Sequence, residues 1–402
     1  MNRKVLLVVL YLYALIFSVL KTIRLPNEWA EAHWLMDYRF GFVKRGLAGE
    51  IFGWFFEKNE YNILVISSGI LFLLYFLIFK IALKKVFKQE NSFYRILFLL
   101  IFFLSQYVVY SAHLIGYLDH IVFLLTILVI YLINQEKIFL ASVIATVCIL
   151  AHEISFFLML PISCFALIIT SIPSVNFSFR NIFSSNIFKK LIVLLLLPFL
   201  ATVSVSLYQE ICGENYFSLI FNYLKHIPFI SENVADSVAS AYTKSFSYYF
   251  KEESGSFFQR LMLSKGTIFY GIPILFLLWM AFKEFKLKQN YQLFFFLIIV
   301  SFFPLLLHAI AYDTYRIWSF PFMILFLVFW ILSSKFKTEH KESRNLSTLE
   351  IVFFILCFLL VTLIPNILFD NEVERFPLIA RSIIILPIFL ILYFLKKPQP
   401  KD

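Results

Sequence analysis

The sequence predicts an all-α, polytopic transmembrane helical bundle, and two observations support this fold class. Hydrophobic residues make up 61% of the 402 residues and charged residues only 15%, whereas soluble domains carry about 25% charged residues. The apolar runs are continuous and do not alternate with polar residues, which excludes a transmembrane barrel. Helices remain, because they satisfy their own backbone hydrogen bonds inside a bilayer.

About twelve spans are predicted along the chain. Two apolar stretches, 96–134 and 138–171, are each too long for one span. Each contains polar residues near its middle, at 119–120 and at 152–153, so we predict two helical hairpins with these residues at the turns. The predicted spans are 5–23, 62–83, 96–112, 119–134, 138–151, 155–171, 190–208, 267–283, 291–310, 319–334, 350–369 and 383–395.

The charges of the loops predict an orientation. With twelve spans and both termini in the cytoplasm, most Lys and Arg residues lie on the cytoplasmic side and most acidic residues lie outside, as the positive-inside bias requires. If 138–171 crossed the membrane only once, every later basic loop would move outward. The net charge of +10 therefore indicates topology, and we expect no nucleic-acid partner.

The whole chain, 1–402, is predicted to form one transmembrane domain with two longer external segments. Residues 24–61 form the first external loop, and its stretch 47–56 is amphipathic enough to lie in the membrane interface. Residues 209–266 form a large external loop that is richer in Ser, Glu, Asn and Tyr. This second segment is expected to be a small external cap or a flexible loop.

Ionisable residues at membrane depth are functional candidates, since placing each one there costs roughly 2.5–3.5 kcal/mol. In the predicted topology the candidates converge on the non-cytoplasmic face. They follow the first span, occupy the two hairpin turns and follow the ninth span. The candidates are Asp37, Arg39, Lys44, Arg45, Asp119, His120, His152, Glu153, Asp313 and Arg316.

Each group also has an explanation that involves no function. Asp313 and Arg316 are three residues apart and could neutralise one another on a helix. Lys44-Arg45 could anchor the chain to lipid headgroups. The pairs at 119–120 and 152–153 could be hydrated hairpin turns.

Carboxylates and guanidinium groups near the outer leaflet suit a lipid-linked, phosphorylated donor. Arg and Lys hold phosphate groups and stabilise the negative charge that grows on a phosphate leaving group. A carboxylate can deprotonate an acceptor hydroxyl. A proton-coupled transporter could use the same residue types, so this set alone is not a specific motif.

A short motif resembles bacterial multi-pass proteins of O-antigen and capsular polysaccharide assembly. Residues 42–47 read Phe-Val-Lys-Arg-Gly-Leu, with Asp37-Tyr38 before them and Gly49-Glu50 after them. In those proteins the run after the first span tends to read Gly-Gly-Phe-Val-Arg-Arg-Gly-Leu. This chain departs from that run in having Phe40 before Gly41 and Lys44 in place of the first Arg.

Two later features are similar to those proteins, namely His152-Glu153 before Pro161 and Asp313 with residues 316–318. The general layout also resembles GT-C membrane glycosyltransferases, whose first external loop carries a catalytic Asp and whose donor is a polyprenyl-linked sugar. The resemblance implies a glycosyltransferase or polysaccharide polymerase that uses polyprenyl-(di)phosphate sugars. It would act at the outer face of a bacterial cytoplasmic (inner) membrane, in cell-envelope polysaccharide biosynthesis.

The resemblance implies a base and a phosphate ligand at Asp37 and Arg316, and the roles of the other candidates are our hypothesis. Asp37 would be the base, and Glu153 and Asp313 would be the other catalytic carboxylates, positioning the acceptor. No cofactor is expected, although His152, Glu153 and Asp313 could instead bind a divalent cation. The remaining candidates would bind substrate: Asp119, His152 and the four basic residues Arg39, Lys44, Arg45 and Arg316, which would hold the phosphate groups.

Three alternatives remain open. A transporter or flippase for lipid-linked sugars predicts charges through the membrane depth and helices broken at the midplane. A non-catalytic scaffold predicts that the joint loss of Arg45, Glu153 and Asp313 is tolerated. A metal site centred on His residues lacks any ligand pair at a standard spacing.

Overall fold

The computed structural model describes residues 2–88, 92–172, 177–182, 184–336, 346–369 and 372–396. The chain is 82% helical and no strand occurs in these ranges. The helices of the first half are α1 (Arg3–Thr22), α2 (Glu28–Leu35), α3 (Gly46–Phe55), α4 (Glu60–Lys88), α5 (Phe93–Leu104), α6 (Gln106–His113), α7 (Asp119–Asn134), α8 (Ile138–Ala151), α9 (Ser155–Leu158), α10 (Leu160–Ser171) and α11 (Phe179–Ile182). Those of the second half are α12 (Ser185–Cys212), α13 (Phe217–Lys225), α14 (Glu232–Thr243), α15 (Phe246–Glu253), α16 (Lys265–Phe269), α17 (Gly271–Glu284), α18 (Tyr291–Phe302), α19 (Thr314–Lys335), α20 (Thr348–Thr362), α21 (Leu378–Ile384) and α22 (Leu386–Lys396).

Eight helical segments of the described chain are long and apolar enough to cross a membrane, and four apolar helical segments are shorter. This result confirms the all-helical, multi-pass class, while the count of twelve spans and the orientation of the termini stay predictions. The eight segments are Arg3–Thr22, Glu60–Phe87, Phe93–His113, Ser185–Lys225, Lys265–Glu284, Tyr291–Ala309, Thr314–Lys335 and Leu378–Lys396. The shorter ones are Asp119–Asn134, Ile138–Ala151, Ser155–Ser171 and Thr348–Thr362.

The last of the shorter helices differs in length from its prediction. The predicted span 350–369 is too long at its C-terminal end, because the helix ends at Thr362. Pro365 follows three residues later, and a proline disfavours helical backbone at the residue before it.

The two polar interruptions are turns between helices, as predicted. α6 ends at His113 and α7 begins at Asp119, with Gly116 in between at a φ of 90° that favours glycine. The second turn separates α8 from α9, and its His152 donates its backbone N–H to the Cys148 carbonyl. After these turns, α7 packs most extensively against α8 and α10.

A 3₁₀ segment carries the chain from α18 to α19. It covers Phe303–Ala309 and contains Pro304 in its first turn, where the missing N–H of proline removes no helical bond. Asp313 is the N-cap residue of α19. This arrangement places Asp313 at the end of an apolar helix and Arg316 in its first turn.

Two early helices pack against two later ones to form a cap, which we define as α2 and α3 with α13 and α14. The cap has an apolar core of its own, formed by Trp34, Phe52, Ile220, Val238 and Tyr242 among others. The two parts are also hydrogen-bonded, since Glu28 Oε2 accepts from the Ser231 N–H at 2.8 Å. Residues 209–266 are therefore largely helical, with α14 packed against α2, whereas the external location of this cap stays a prediction.

The predicted amphipathic stretch 47–56 coincides with α3. Phe52 is buried in the cap, whereas Ile51 and Phe55 on the same helix are exposed. Gly49 lets α3 approach the preceding segment closely, because a Cβ at this position would lie 1.9 Å from the Met36 carbonyl oxygen.

Candidate functional site

Arg316 joins two acidic residues from different parts of the chain. Its Nε and Nη2 donate to the two carboxylate oxygens of Asp119 at 2.8 and 2.7 Å. Its Nη1 donates to Asp313 Oδ2 at 3.0 Å. The Asp119 pair is bidentate, the strongest geometry of such pairs. The expected mutual neutralisation of Asp313 and Arg316 occurs, but Arg316 also holds Asp119.

Arg45 makes the equivalent contact with the second turn. Its Nε donates to both carboxylate oxygens of Glu153 at 2.9 and 2.8 Å, and its Nη2 also contacts Oε1. The backbone of Arg45 is left-handed, with a φ of 61°, which is uncommon for a residue with a side chain. The Arg45 side chain thus pairs inside the protein through Nε and Nη2.

His152 links these two groups into one continuous set. Its Nδ1 lies 3.1 Å from Glu153 Oε2, and its Nε2 lies 3.8 Å from Asp119 Oδ1. We call the connected residues the ion network: Arg45, Glu153, His152, Asp119, Arg316 and Asp313. The structure thus brings together the loop after α1, both turns and the start of α19, as the sequence predicts.

The ion network is buried at its centre and accessible at two carboxylates. The side chains of Asp119 and His152 are buried, whereas Glu153 is 29% exposed and Asp313 is 21% exposed. Among the described residues, only Arg316 hydrogen-bonds to the Asp313 side chain, through Oδ2. Asp313 Oδ1 accepts no hydrogen bond from the described residues and belongs to a side chain that is 21% exposed.

These two carboxylates differ in their affinity for a proton. Burial raises the pKa of Asp313 above its ordinary value, and this effect outweighs the neighbouring Arg316. Burial acts in the same direction on Glu153, but the adjacent Arg45 outweighs it and holds the pKa of Glu153 well below its ordinary value. Asp313 is consequently the better proton acceptor.

Lys44 lies beside the ion network without a carboxylate in direct contact. Its Nζ donates to the Lys244 carbonyl at 2.9 Å and lies 4.9 Å from the centre of the Tyr249 ring. Burial lowers the pKa of Lys44 to about 8, against the attraction of Glu153. Lys44 therefore remains largely protonated at neutral pH.

Asp37 and Arg39 form a separate group. Arg39 Nε donates to both Asp37 oxygens at 2.8 and 3.1 Å, Lys58 Nζ pairs with Oδ2, and Arg39 Nη2 donates to the Tyr223 hydroxyl. Burial acts to raise the pKa of Asp37, but the hydrogen bonds from Lys58 and Arg39 outweigh it and lower this pKa. Asp37 is thus held ionised by two cations.

A cavity of about 350 Å³ lies at this second group. We call it the loop cavity. The predicted single site is therefore divided into the ion network and the loop cavity. The loop cavity is lined by Asp37, Arg39, Glu50, Gly53, Trp54, Phe56, Glu57 and Lys58.

Sequence reasoning missed Lys58, which completes the group at Asp37. Lys58 was not singled out, because its partner Asp37 lies 21 residues away on the other side of α3, and no spacing in the sequence indicates that pair. His120, named with Asp119, lines a small cavity below Arg316 together with Tyr107 and Ser111. That cavity measures only about 10 Å³, which is space for roughly one water molecule.

No protein-family model, curated protein or solved structure matches this chain. Within the described ranges, no group of three or more His, Cys, Asp or Glu residues is arranged to hold a metal ion. What the ion network offers chemically is an accessible carboxylate beside two guanidinium groups. The motif-based resemblance stays a prediction.

Proposed function

We propose that this chain is a membrane glycosyltransferase or polysaccharide polymerase. It would use polyprenyl-(di)phosphate-linked sugars at the outer face of the bacterial cytoplasmic membrane. The observation that carries the proposal is the ion network, whose six residues come from four segments and include two Arg side chains and two accessible carboxylates where apolar helices end. Ionisable residues that burial and charged partners perturb, and that remain partly accessible, are candidates for a functional site.

Asp313 fits the role of general base better than Asp37. A general base works best when its pKa is close to the operating pH, and burial moves the pKa of Asp313 upward. Both oxygens of Asp37 are occupied by Arg39 and Lys58. Asp313 Oδ1 would take the proton of an acceptor hydroxyl. The oxygen of the acceptor hydroxyl then bonds to the anomeric carbon of the donor sugar, and the bond from this carbon to the phosphate oxygen breaks.

The guanidinium groups have donors left for the departing phosphate. An Arg side chain has five N–H donors, and Arg45 uses only Nε and Nη2 on Glu153. Its Nη1 makes no hydrogen bond to the described residues and can donate to a phosphate oxygen. Lys44, charged at neutral pH, adds to the local positive potential.

The lipid tail of the donor would lie along α3. The exposed apolar residues Ile51 and Phe55 are four positions apart on this helix, so they share one face. Arg45, whose Nη1 is available, is the residue that immediately precedes α3. A lipid along this face would therefore reach the ion network with its headgroup.

The test is a deletion strain that loses its surface glycan, complemented with Asp313→Asn. We expect glycan assembly to fall by at least 100-fold at an unchanged protein level. Asp236→Asn is the matched control, since Asp236 lies on the exposed face of α14, and it should restore assembly fully. Full assembly with Asp313→Asn would remove the base assignment. Movement of labelled lipid-linked sugar by the purified protein, with no new glycosidic bond, would establish a transporter instead.

One observation favours that second candidate, a transporter or flippase of lipid-linked sugars. The segment that begins with α18 changes from α-helix to 3₁₀ at Phe303, six residues before its end at Ala309. Interrupted helices beside charged residues are typical of transport sites. The ion network itself, however, lies at helix ends and does not extend along the helices.

A further inference from the structure

The loop cavity has no role in the proposed transfer step, and its lining indicates what it can hold. Glu50, Gly53 and Trp54 line it from one face of α3, because positions i, i+3 and i+4 of a helix point the same way. Gly53 keeps this face open, since a Cβ there would lie 3.0 Å from Lys58 Cε. The volume of about 350 Å³ is within the range of small-molecule sites, about 300–1,000 Å³.

Ions of either sign are poorly matched to this lining. Three carboxylates, from Asp37, Glu50 and Glu57, face the cavity, so a phosphate group would meet net negative charge. The two cations, Arg39 and Lys58, already pair with Asp37 and would repel a cationic ligand. With three carboxylates against two cations the charges of the lining nearly balance, which favours a neutral ligand over an ion of either sign.

The lining also offers unused hydrogen-bonding groups and an aromatic surface. Among the described residues, the Glu57 carboxylate and Arg39 Nη1 have no hydrogen-bond partner, so an acceptor and a donor are available. The Trp54 indole is 67% exposed, and its Nε1–H donates to Glu50 Oε1 at 3.1 Å, which fixes the ring. Sugars carry hydroxyl groups that donate and accept, and they present apolar C–H faces that stack on aromatic rings.

We propose that the loop cavity binds one or two sugar units of a neutral glycan. The glycan would stack on Trp54 and hydrogen-bond to Glu57 and Arg39. This inference rests on the proposed function, because the transfer reaction would supply the glycan. The loop cavity would be a second site for the same polymer, separate from the ion network. It would retain the growing glycan between transfers.

The experiment measures binding without turnover. The full chain in nanodiscs is examined by saturation-transfer NMR with maltotetraose, cellotetraose and chitotetraose in its N-acetylated form, and with pyrophosphate and spermidine as ionic probes. We expect at least one neutral oligosaccharide to bind and the ionic probes not to compete. Trp54→Ala and Glu57→Gln should each weaken binding at least tenfold. Tyr61→Ala, which removes an aromatic ring that is 72% exposed outside the cavity lining, should bind normally.

Three results would overturn the proposal: no neutral oligosaccharide binds, Trp54→Ala and Glu57→Gln both bind normally, or an ionic probe displaces the sugar. Glu57→Gln is the informative variant if Trp54→Ala fails to fold, because its exposed side chain supports no packing. Asp313→Asn should bind the sugar like the wild type. Failure of the glycan site and failure of the proposed transfer are therefore distinguishable.

Discussion

Arg316 and Asp119 are 197 residues apart in the sequence and form a bidentate pair that ties the start of α19 to the start of α7. Asp119 is buried, and Arg316 has Asp313 as its second partner. A pair of this kind fixes the relative position of two helices whose apolar surfaces have little directional preference. It therefore positions Asp313 as well.

Asp119→Asn should destabilise the fold by about 3 kcal/mol, because removing one partner of a buried pair leaves a charge poorly compensated. Thermal unfolding in detergent measures the change. Glu232→Gln is the control, since the Glu232 side chain is 63% exposed in its pair with Lys225 and such pairs contribute about 1 kcal/mol or less. Equal unfolding temperatures for Asp119→Asn and the wild type would show that the pair does not hold α7 and α19 together.

Lys44 should make the free energy of unfolding increase with pH in the alkaline range. Its pKa is about 8 in the folded chain and 10.5 ordinarily, so the unfolded state binds more protons between these values. The free energy of unfolding contributed by Lys44 therefore rises with pH across this window. Comparing the wild type with Lys44→Met at pH 7.5 and 9.5 isolates this contribution, and parallel pH profiles for the two proteins would contradict it.

Asp37 should stabilise the first loop at neutral pH and lose this effect in acid. Its folded pKa is lowered below 3.8, so the stabilisation is present above the ordinary value and disappears as the pH falls through the folded value. Asp37→Asn should open residues 24–61 to limited proteolysis at pH 7. Cleavage of the wild type should approach that of the variant in strong acid. A wild-type loop that remains equally protected at all pH values would refute this linkage.

Gly49→Ala should disrupt the cap, because the added methyl group would overlap the Met36 carbonyl oxygen. Overpacking of this kind costs about 1–3 kcal/mol. Gly69→Ala is the matched control in a helix with open space around the glycine, and it should be neutral or stabilising by about 0.5–1 kcal/mol. The reverse order of unfolding temperatures would show that α3 can move away from Met36.

The helices could be predicted from the sequence because apolar length and polar interruptions depend only on neighbouring residues. His152 and Glu153 interrupt an apolar stretch, so the turn between α8 and α9 was visible directly. The pairing of Arg45 with Glu153 spans 108 residues, and only the packing of the helices selects it. Packing also decides the position of Asp37. The sequence grouped Asp37 with Arg45 and Arg316, but in the structure it lies with Lys58 at the loop cavity.

The cap can form only late in synthesis, because it joins an early part of the chain to a much later one. His33 in α2 contacts the Tyr242 hydroxyl at 3.2 Å, across 209 residues of sequence. Early segments normally fold first on the ribosome, yet α2 and α3 cannot reach their packed state until α14 has been made. A chain arrested before residue 232 should therefore expose residues 24–61 to protease although α1 and α4 are already inserted. Arg45 would then pair with Glu153 only as one of the last steps of assembly.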